Sequence, residues 1–226
     1  GIQVLLGRKA EHVERSSGRL RLMLDSGDAI DAERLLVATG RRPNVDDLGL
    51  ELLGVELTKR GVTVDDRLRA GNRVWAIGDV AGVGLLTHLG KYQARIAAVN
   101  LAGRDIAADY RAIPAAVFTD PQVASVGELE GEGVVVARYD IVGGRLSTYE
   151  RPKRPGFVKL AADSERRVLV GAIAVGPEAG EWLGQLTLAV RAAVPLDVLL
   201  DTIQPYPTFS EAIFSALQEL DDRLGE

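Results

Sequence analysis

Residues 156–193 read GFVKLAADSERRVLVGAIAVGPEAGEWLGQLTLAVRAA. Two apolar runs, over 156–161 and 168–175, have the length and content of strands, and the stretch over 178–193 reads as a helix. On that helix Leu183, Leu186, Ala189 and Val190 fall on one stripe, the spacing of a face turned towards a core. Upstream, strand patterns recur over 115–118, 123–126 and 134–139. Downstream, a second amphipathic helix is expected over 210–224, with Phe209, Ile213, Phe214 and Leu217 at helical spacing. Strands followed by helices predict an α+β fold, in which an antiparallel sheet carries helices on one face. The irregular stretch over 143–155 reads as a surface loop, and Asp221, Asp222 and Arg223 as a solvated end.

The first forty residues have a different character. Strands are expected over 2–6, 9–15 and 20–25, with Leu20, Leu22 and Leu24 alternating and Ser16-Ser17-Gly18 as a hairpin turn. Leu35-Leu36-Val37-Ala38 is a short continuous apolar run of the kind buried inside a sheet. No helix precedes it to complete a strand–helix–strand unit, so the opening is expected to be the tail of a larger domain or, alternatively, a small β domain. Residues 44–71 are polar and broken, with room for a short helix over 45–53 and a strand over 62–64. A strand over 73–77 then ends in Gly78-Asp79-Val80-Ala81-Gly82, and a helix follows over 85–101.

Composition narrows the function. The chain has 226 residues, 46% hydrophobic and 26% charged, so it can bury a core and is not disordered. Its formal charge is −5 with no basic stripe, which argues against nucleic acid. There is no cysteine, which excludes disulfides and any thiol chemistry carried by these residues, and the two histidines, His12 and His88, lie far apart, so no metal is expected. No apolar run approaches the about 20 residues that span a bilayer. A cytoplasmic protein without membrane attachment is the default expectation.

Three separated signatures stand out: Ala38-Thr39-Gly40-Arg41-Arg42-Pro43-Asn44, Ala76-Ile77-Gly78-Asp79-Val80 and Tyr206-Pro207-Thr208-Phe209-Ser210-Glu211. A carboxylate such as Asp79 at the end of a buried strand can accept hydrogen bonds from sugar-like hydroxyls, or can simply cap the turn. Leu86, Thr87 and His88 open the next helix, whose free N–H groups and positive dipole end favour negative charge. Thr39-Gly40 permits close approach of backbone to a ligand, and Arg41 with Arg42 could neutralise a pyrophosphate or remain solvated.

In this order and spacing the signatures resemble the C-terminal half of the flavin-dependent pyridine nucleotide-disulfide oxidoreductases, a family that includes dihydrolipoamide dehydrogenase, glutathione reductase and mercuric reductase. The resemblance covers essentially the whole chain, including Gly156-Phe157-Val158-Lys159-Leu160 and Val175-Gly176-Pro177-Glu178-Ala179. It implies that residues 1–38 end an NAD(P)-binding domain, 39–109 form a second FAD-domain segment, and 110–226 form a homodimerisation domain. It further implies FAD and NAD(P) as cofactors of a full-length parent, with Asp79 on the ribityl chain and the start of the 85–101 helix at the flavin ring. The G-x-G-x-x-G fingerprints that such enzymes use for both nucleotides do not occur here, so the chain is expected to be an inactive, dimer-forming fragment that by itself holds no cofactor tightly. The alternative is a stand-alone dimerisation or protein-interaction module.

The last signature departs from the family. Where Tyr206 stands, the disulfide reductases normally carry a His that acts across the dimer, with the downstream Glu, here Glu211, orienting it. A phenol with an ordinary pKa near 10 is a poor proton shuttle at neutral pH. Tyr206 is therefore expected either as a wall or hydrogen-bond donor at an acceptor site or as an aromatic packed at the dimer interface. The resemblance also predicts a cis Tyr206–Pro207 bond.

Overall fold

The computed structural model describes residues 1–16, 18–148 and 156–225. The chain divides into two compact units, Gly1–Arg42 and Pro43–Glu226.

In the first unit β1 (Ala10–Ser16), β2 (Arg19–Leu24) and β3 (Ala29–Ala32) form an antiparallel sheet in that order. Ser16 pairs with Arg19 across the expected hairpin, whose Ser17 lies outside the described residues. The alternation read from Leu20, Leu22 and Leu24 holds, but only Leu24 is buried among the described residues of this unit. Arg21 and Asp31 face each other and pair through two hydrogen bonds of 2.9 and 3.0 Å. Two expected strands do not form. Residues 2–6 and 35–38 lie outside any strand, and Leu36 is 89% exposed. An apolar run becomes a buried strand only when neighbours take up its backbone hydrogen bonds and cover its faces. Among the described residues no strand pairs with either run.

The second unit begins with small elements. A 3-10 turn, Leu50–Leu53, bounded by Gly49 and Gly54, replaces the helix expected over 45–53. Two short hairpins follow, β4 (Leu57–Thr58) with β5 (Gly61–Val62) and β6 (Arg69–Gly71) with β7 (Val74–Trp75). The strand expected over 73–77 is therefore only two residues long. Another 3-10 turn, Gly78–Ala81, leads towards α1 (Thr87–Leu101), whose buried stripe is Leu89, Gln93, Ile96, Ala97 and Asn100. Ala98, between Ala97 and Val99, is exposed.

The remainder is the α+β architecture that the sequence predicts. β8 (Ala115–Val117), β9 (Gln122–Gly127), β10 (Val134–Ile141), β11 (Gly156–Asp163) and β12 (Val168–Gly176) form one antiparallel sheet in the order β10-β11-β12-β9-β8. α2 (Arg145–Thr148) is a single turn within the stretch read as a loop, of which 149–155 lie outside the described residues. α3 (Ala179–Ala192), α4 (Leu196–Leu200) and α5 (Glu211–Gly225) follow. α3 packs on β12 and β9, and α5 on β10 and β11. Their stripes meet Val126, Ala137, Val158, Leu160, Ala172 and Ala174 in one core. The small side chains on the sheet let the helix residues Leu186, Ile213, Leu217 and Leu220 approach until they are buried. Each such side chain contributes about 1.5–3 kcal/mol relative to exposure.

The end of α5 is not simply solvated. Asp221 pairs with Arg167, and Arg223 Nη1 donates to the Val136 carbonyl at 2.9 Å. The Tyr206–Pro207 bond is cis, as expected, and so is Asp120–Pro121. Among the described residues no helix is long and apolar enough to cross a membrane, and no group of three or more His, Cys, Asp or Glu could hold a metal ion.

Candidate functional site

The site starts where β7 stops. Ala76 N–H donates to Leu68 O at 3.1 Å, Ile77 is extended, and Gly78 turns the chain with φ +73° into the Gly78–Ala81 turn. Backbone meets backbone on two sides of this turn. A Cβ on Gly61 would sit 2.1 Å from the Val80 oxygen, so only glycine there lets the β4–β5 hairpin seat that carbonyl. A Cβ on Gly90 would sit 3.3 Å from Gly78 Cα, so α1 lies directly against the turn. The position of a Cβ on Gly78 itself faces open space, and Asp79 beside it is half-buried.

α1 begins at Thr87 with Leu86 as its cap, a residue that offers no capping side chain. Its first-turn N–H groups, at the positive end of the helix, therefore remain available to a ligand. Thr87 and His88 are exposed, and His88 Nε2 donates to the Pro114 carbonyl at 2.7 Å, which ties the helix start to the segment entering the large sheet. The structure thus brings Gly78, Asp79, Leu86, Thr87 and His88 to one corner. A carboxylate, a glycine open to a ligand and an uncapped helix start fit the polyhydroxyl chain and electron-accepting ring edge of a flavin nucleotide. Thr39, Gly40 and Arg41 belong to the other unit, in an exposed segment after β3 where Gly40 has φ +101°.

Tyr206 and Glu211 form a second locus. Both line a cavity of about 360 Å³ with Leu200, Ile203, Gln204 and Phe214. Tyr206 is 76% exposed, and the turn behind it is held by Thr208 Oγ1 donating to Pro205 O at 2.7 Å. Glu211, half-buried, is the first residue of α5, where the helix dipole favours a carboxylate. Its other side faces a cavity of about 120 Å³ formed with Gly143, Gly144 and Ser215. A Cβ on Gly144 would lie 2.9 Å from Glu211 Oε2, so the loop backbone closes directly over the carboxylate. Among the described residues no hydrogen bond joins the Tyr206 hydroxyl to Glu211.

Three participants were not singled out from the sequence. Gln93 is fully buried; its Oε1 accepts from Gly78 N–H at 2.7 Å, and its Nε2 donates to Tyr110 Oη at 3.1 Å. Asp109 accepts from the backbone and guanidinium of Arg111 and pairs with Arg191 of α3 at 3.1 Å. Burial works against the Asp109 carboxylate, but the Arg111 hydrogen bonds and the Arg191 charge outweigh it and hold its pKa below the usual carboxylate range. Burial likewise pushes the Tyr110 phenol up, partly offset by the bond from Gln93. A signal for Gln93 was present: a polar side chain sits on the same helical stripe as Leu89, Ile96 and Ala97, where burial demands a partner.

A family model described as pyridine nucleotide-disulphide oxidoreductase matches residues 1–104, and the dimerisation-domain model of that family matches 113–217. The chain is 36% identical over 229 residues to dihydrolipoyl dehydrogenase 2 of Haloarcula marismortui, covering 96% of this chain and 48% of that protein. It is 34% identical to the dihydrolipoyl dehydrogenase of Geobacillus stearothermophilus, again over 96% of this chain and 48% of the relative. The crystal structure of LpdA from Mycobacterium tuberculosis superposes with a TM-score of 0.84 at 28% identity, over 97% of this chain and 50% of that one. The HOCl-induced flavoprotein disulfide reductase RclA from Escherichia coli shares the fold, with a TM-score of 0.77 at 24% identity, over 93% of this chain and 50% of that one. The chain spans about half the length of the curated relatives it matches.

Proposed function

Since the chain belongs to the pyridine nucleotide-disulphide oxidoreductase family and carries its dimerisation domain, we propose that it serves as the C-terminal part of a homodimeric, cytoplasmic flavoenzyme that passes hydride from NAD(P)H through FAD to an acceptor. The observation that carries this reading is the Gly78–Asp79 turn, seated against the uncapped start of α1 and open at Gly78. Residues 1–38 end the NAD(P)-binding domain, 39–109 contribute to the FAD domain, and 110–226 make the dimer.

Each residue then has a defined task. The Asp79 carboxylate accepts hydrogen bonds from the ribityl hydroxyls, a charge-assisted contact. The N–H groups of Leu86, Thr87 and His88 stabilise negative charge at the ring edge through the helix dipole. Thr39 and Gly40 allow close backbone approach, and Arg41 meets the pyrophosphate. FAD held by these residues would supply two-electron redox chemistry. These 226 residues contain no G-x-G-x-x-G to seat a nicotinamide dinucleotide's pyrophosphate.

Tyr206 and Glu211 serve the acceptor side. With a phenol in place of imidazole, Tyr206 acts as an aromatic wall and hydrogen-bond donor at the acceptor site. Taken alone, the chain dimerises, holds FAD weakly and does not turn over.

Flavin titration with light scattering on the purified chain tests the reading. A dimer is expected, with a weak FAD affinity that falls about tenfold on Asp79→Ala, the scale of one hydrogen bond to a charged group. A monomer, or an Asp79→Ala chain that takes up flavin as well as the parent, would overturn it.

A further inference from the structure

Gln93 has no reason to be where it is on hydrophobic grounds. It occupies the buried stripe of α1 with no exposed surface, and burying an amide costs free energy unless its polar atoms are partnered. Its two ends are both engaged, and the polarity is fixed by the backbone. The Gly78 N–H can only donate, so the group facing it at 2.7 Å is Oε1; Nε2 then faces Tyr110 at 3.1 Å, and the phenol oxygen must accept.

Tyr110 is itself the first residue of the 110–226 half, and the contacts around it bind α1 to that half. The Tyr110 ring stands edge-on to Tyr92, with centroids 6.1 Å apart and planes at 69°. Tyr92 Oη accepts from Asp109 N–H at 2.7 Å, and the Asp109 carboxylate holds Arg191 near the end of α3. A parallel strap runs from His88 in the first turn of α1 to the Pro114 carbonyl. Both straps leave the corner built around Gly78 and end on the segment that enters the five-stranded sheet.

We propose that Gln93 is the positioning residue of the flavin-facing turn: it fixes the Gly78 peptide, and through Tyr110 it registers that turn to the dimerisation half, so that packing there sets where Asp79 points. The functional meaning rests on the flavin reading above; the mechanical relay does not. Gly90 and Gly61 bring backbone into contact with the turn but do not bond its Gly78 peptide, because each contact is only a steric approach. The Gln93 amide does, and it selects the orientation, since a hydrogen bond loses most of its strength when it is misaligned.

The test measures amide hydrogen exchange at Gly78 in the 226-residue chain, with thermal melting and FAD titration of the same samples. Gln93→Met removes both polar ends at similar volume and is expected to speed Gly78 exchange about tenfold, the scale of one lost hydrogen bond. Gln93→Glu keeps the acceptor and is expected to stay within about threefold of the parent, while its carboxylate takes the Tyr110 proton as a hydrogen bond and drives the phenol titration upwards. Tyr110→Phe leaves Gly78 its acceptor but frees the far end of the amide, and about a threefold rise is expected.

Unchanged Gly78 exchange in Gln93→Met overturns the positioning role, and unchanged exchange in Tyr110→Phe overturns the link to the dimerisation half. If Gln93→Met does not fold, the other two variants still decide. FAD affinity is expected to fall in step with Gly78 protection; faster exchange with unaltered affinity removes the functional half of the proposal. A parent chain that binds no FAD at all removes the flavin reading of Asp79, while the exchange ratios judge the relay on their own.

Discussion

Leu35-Leu36-Val37-Ala38 and Val158-Lys159-Leu160-Ala161-Ala162 are similar on paper, each a short run rich in apolar residues. In the molecule they have opposite fates. The first lies outside any strand, with Leu36 and Val37 exposed, whereas the second is the middle of β11, with Val158, Leu160, Ala161 and Ala162 fully buried. β11 has β10 on one edge, β12 on the other and α5 against its face. Among the described residues, 35–38 have no strand on either edge. The difference teaches that burial belongs to a set of long-range neighbours and not to the apolar run itself.

The largest test of that contrast is a pair of deletions. Leu160→Ala is expected to cost about 2–5 kcal/mol in urea unfolding, because it removes buried atoms and leaves a cavity between β11 and α5. Leu36→Ala is expected to stay within about 0.5 kcal/mol. Comparable losses in both would show that 35–38 are packed in solution and would break the contrast.

Next comes Gly61→Ala, at the joint between the β4–β5 hairpin and the Gly78–Ala81 turn. With φ at +124° and the Val80 oxygen 2.1 Å from the new Cβ, the turn must move or strain must be stored. A loss of about 1–3 kcal/mol is expected, together with faster exchange of the turn amides. A neutral outcome would show that the turn is not seated on this hairpin.

Asn100→Ala sharpens the same point within α1. Asn100 bonds both the N–H and the carbonyl of Ile106 at 2.8 and 2.9 Å, so the variant leaves part-buried backbone groups without their side-chain partner, at a cost of about 1–3 kcal/mol by thermal or denaturant unfolding. An exposed position of the same helix, such as Ala98→Ser, is expected to change stability by less than about 0.5 kcal/mol.

The smallest effect is electrostatic. The folded pKa of Asp109 lies below its unfolded value of about 3.9, so its contribution is fully present above that value and is lost as pH falls through the folded one. Asp109→Asn is therefore expected to lower the melting temperature slightly near neutrality, with the gap from the parent closing in acid. The contribution is less than about 1 kcal/mol because both arginine partners are well exposed. A gap that persists in acid would assign the effect to lost hydrogen bonds instead of charge.

These contrasts also mark what was legible in the residues alone. The strands of the large sheet and the stripes of α3 and α5 were readable because periodicity is local: Leu183, Leu186, Ala189 and Val190 fall on one face whatever else surrounds them, and all four are buried. The corner at Gly78, Asp79 and Thr87 was readable as strand end, acidic turn and helix start, each of which has its own short-range chemistry. The short α4 and the shrinkage of the 45–53 helix to a single turn were not, because marginal elements depend on what they pack against.

By itself, then, the sequence determined the α+β order of elements, the residue types at the Gly78–Asp79 turn, the Tyr206 departure and the absence of thiols from these residues. Only the tertiary structure decided that Gln93 holds Gly78 to Tyr110, that Asp221 answers Arg167 from 54 residues away, and that residues 35–38 stay outside any sheet. The physical reason is common to all three. Periodicity and turn chemistry act between neighbours along the chain, whereas a hydrogen-bond partner, an opposite charge or a covering strand is supplied by whichever distant segment the fold brings alongside.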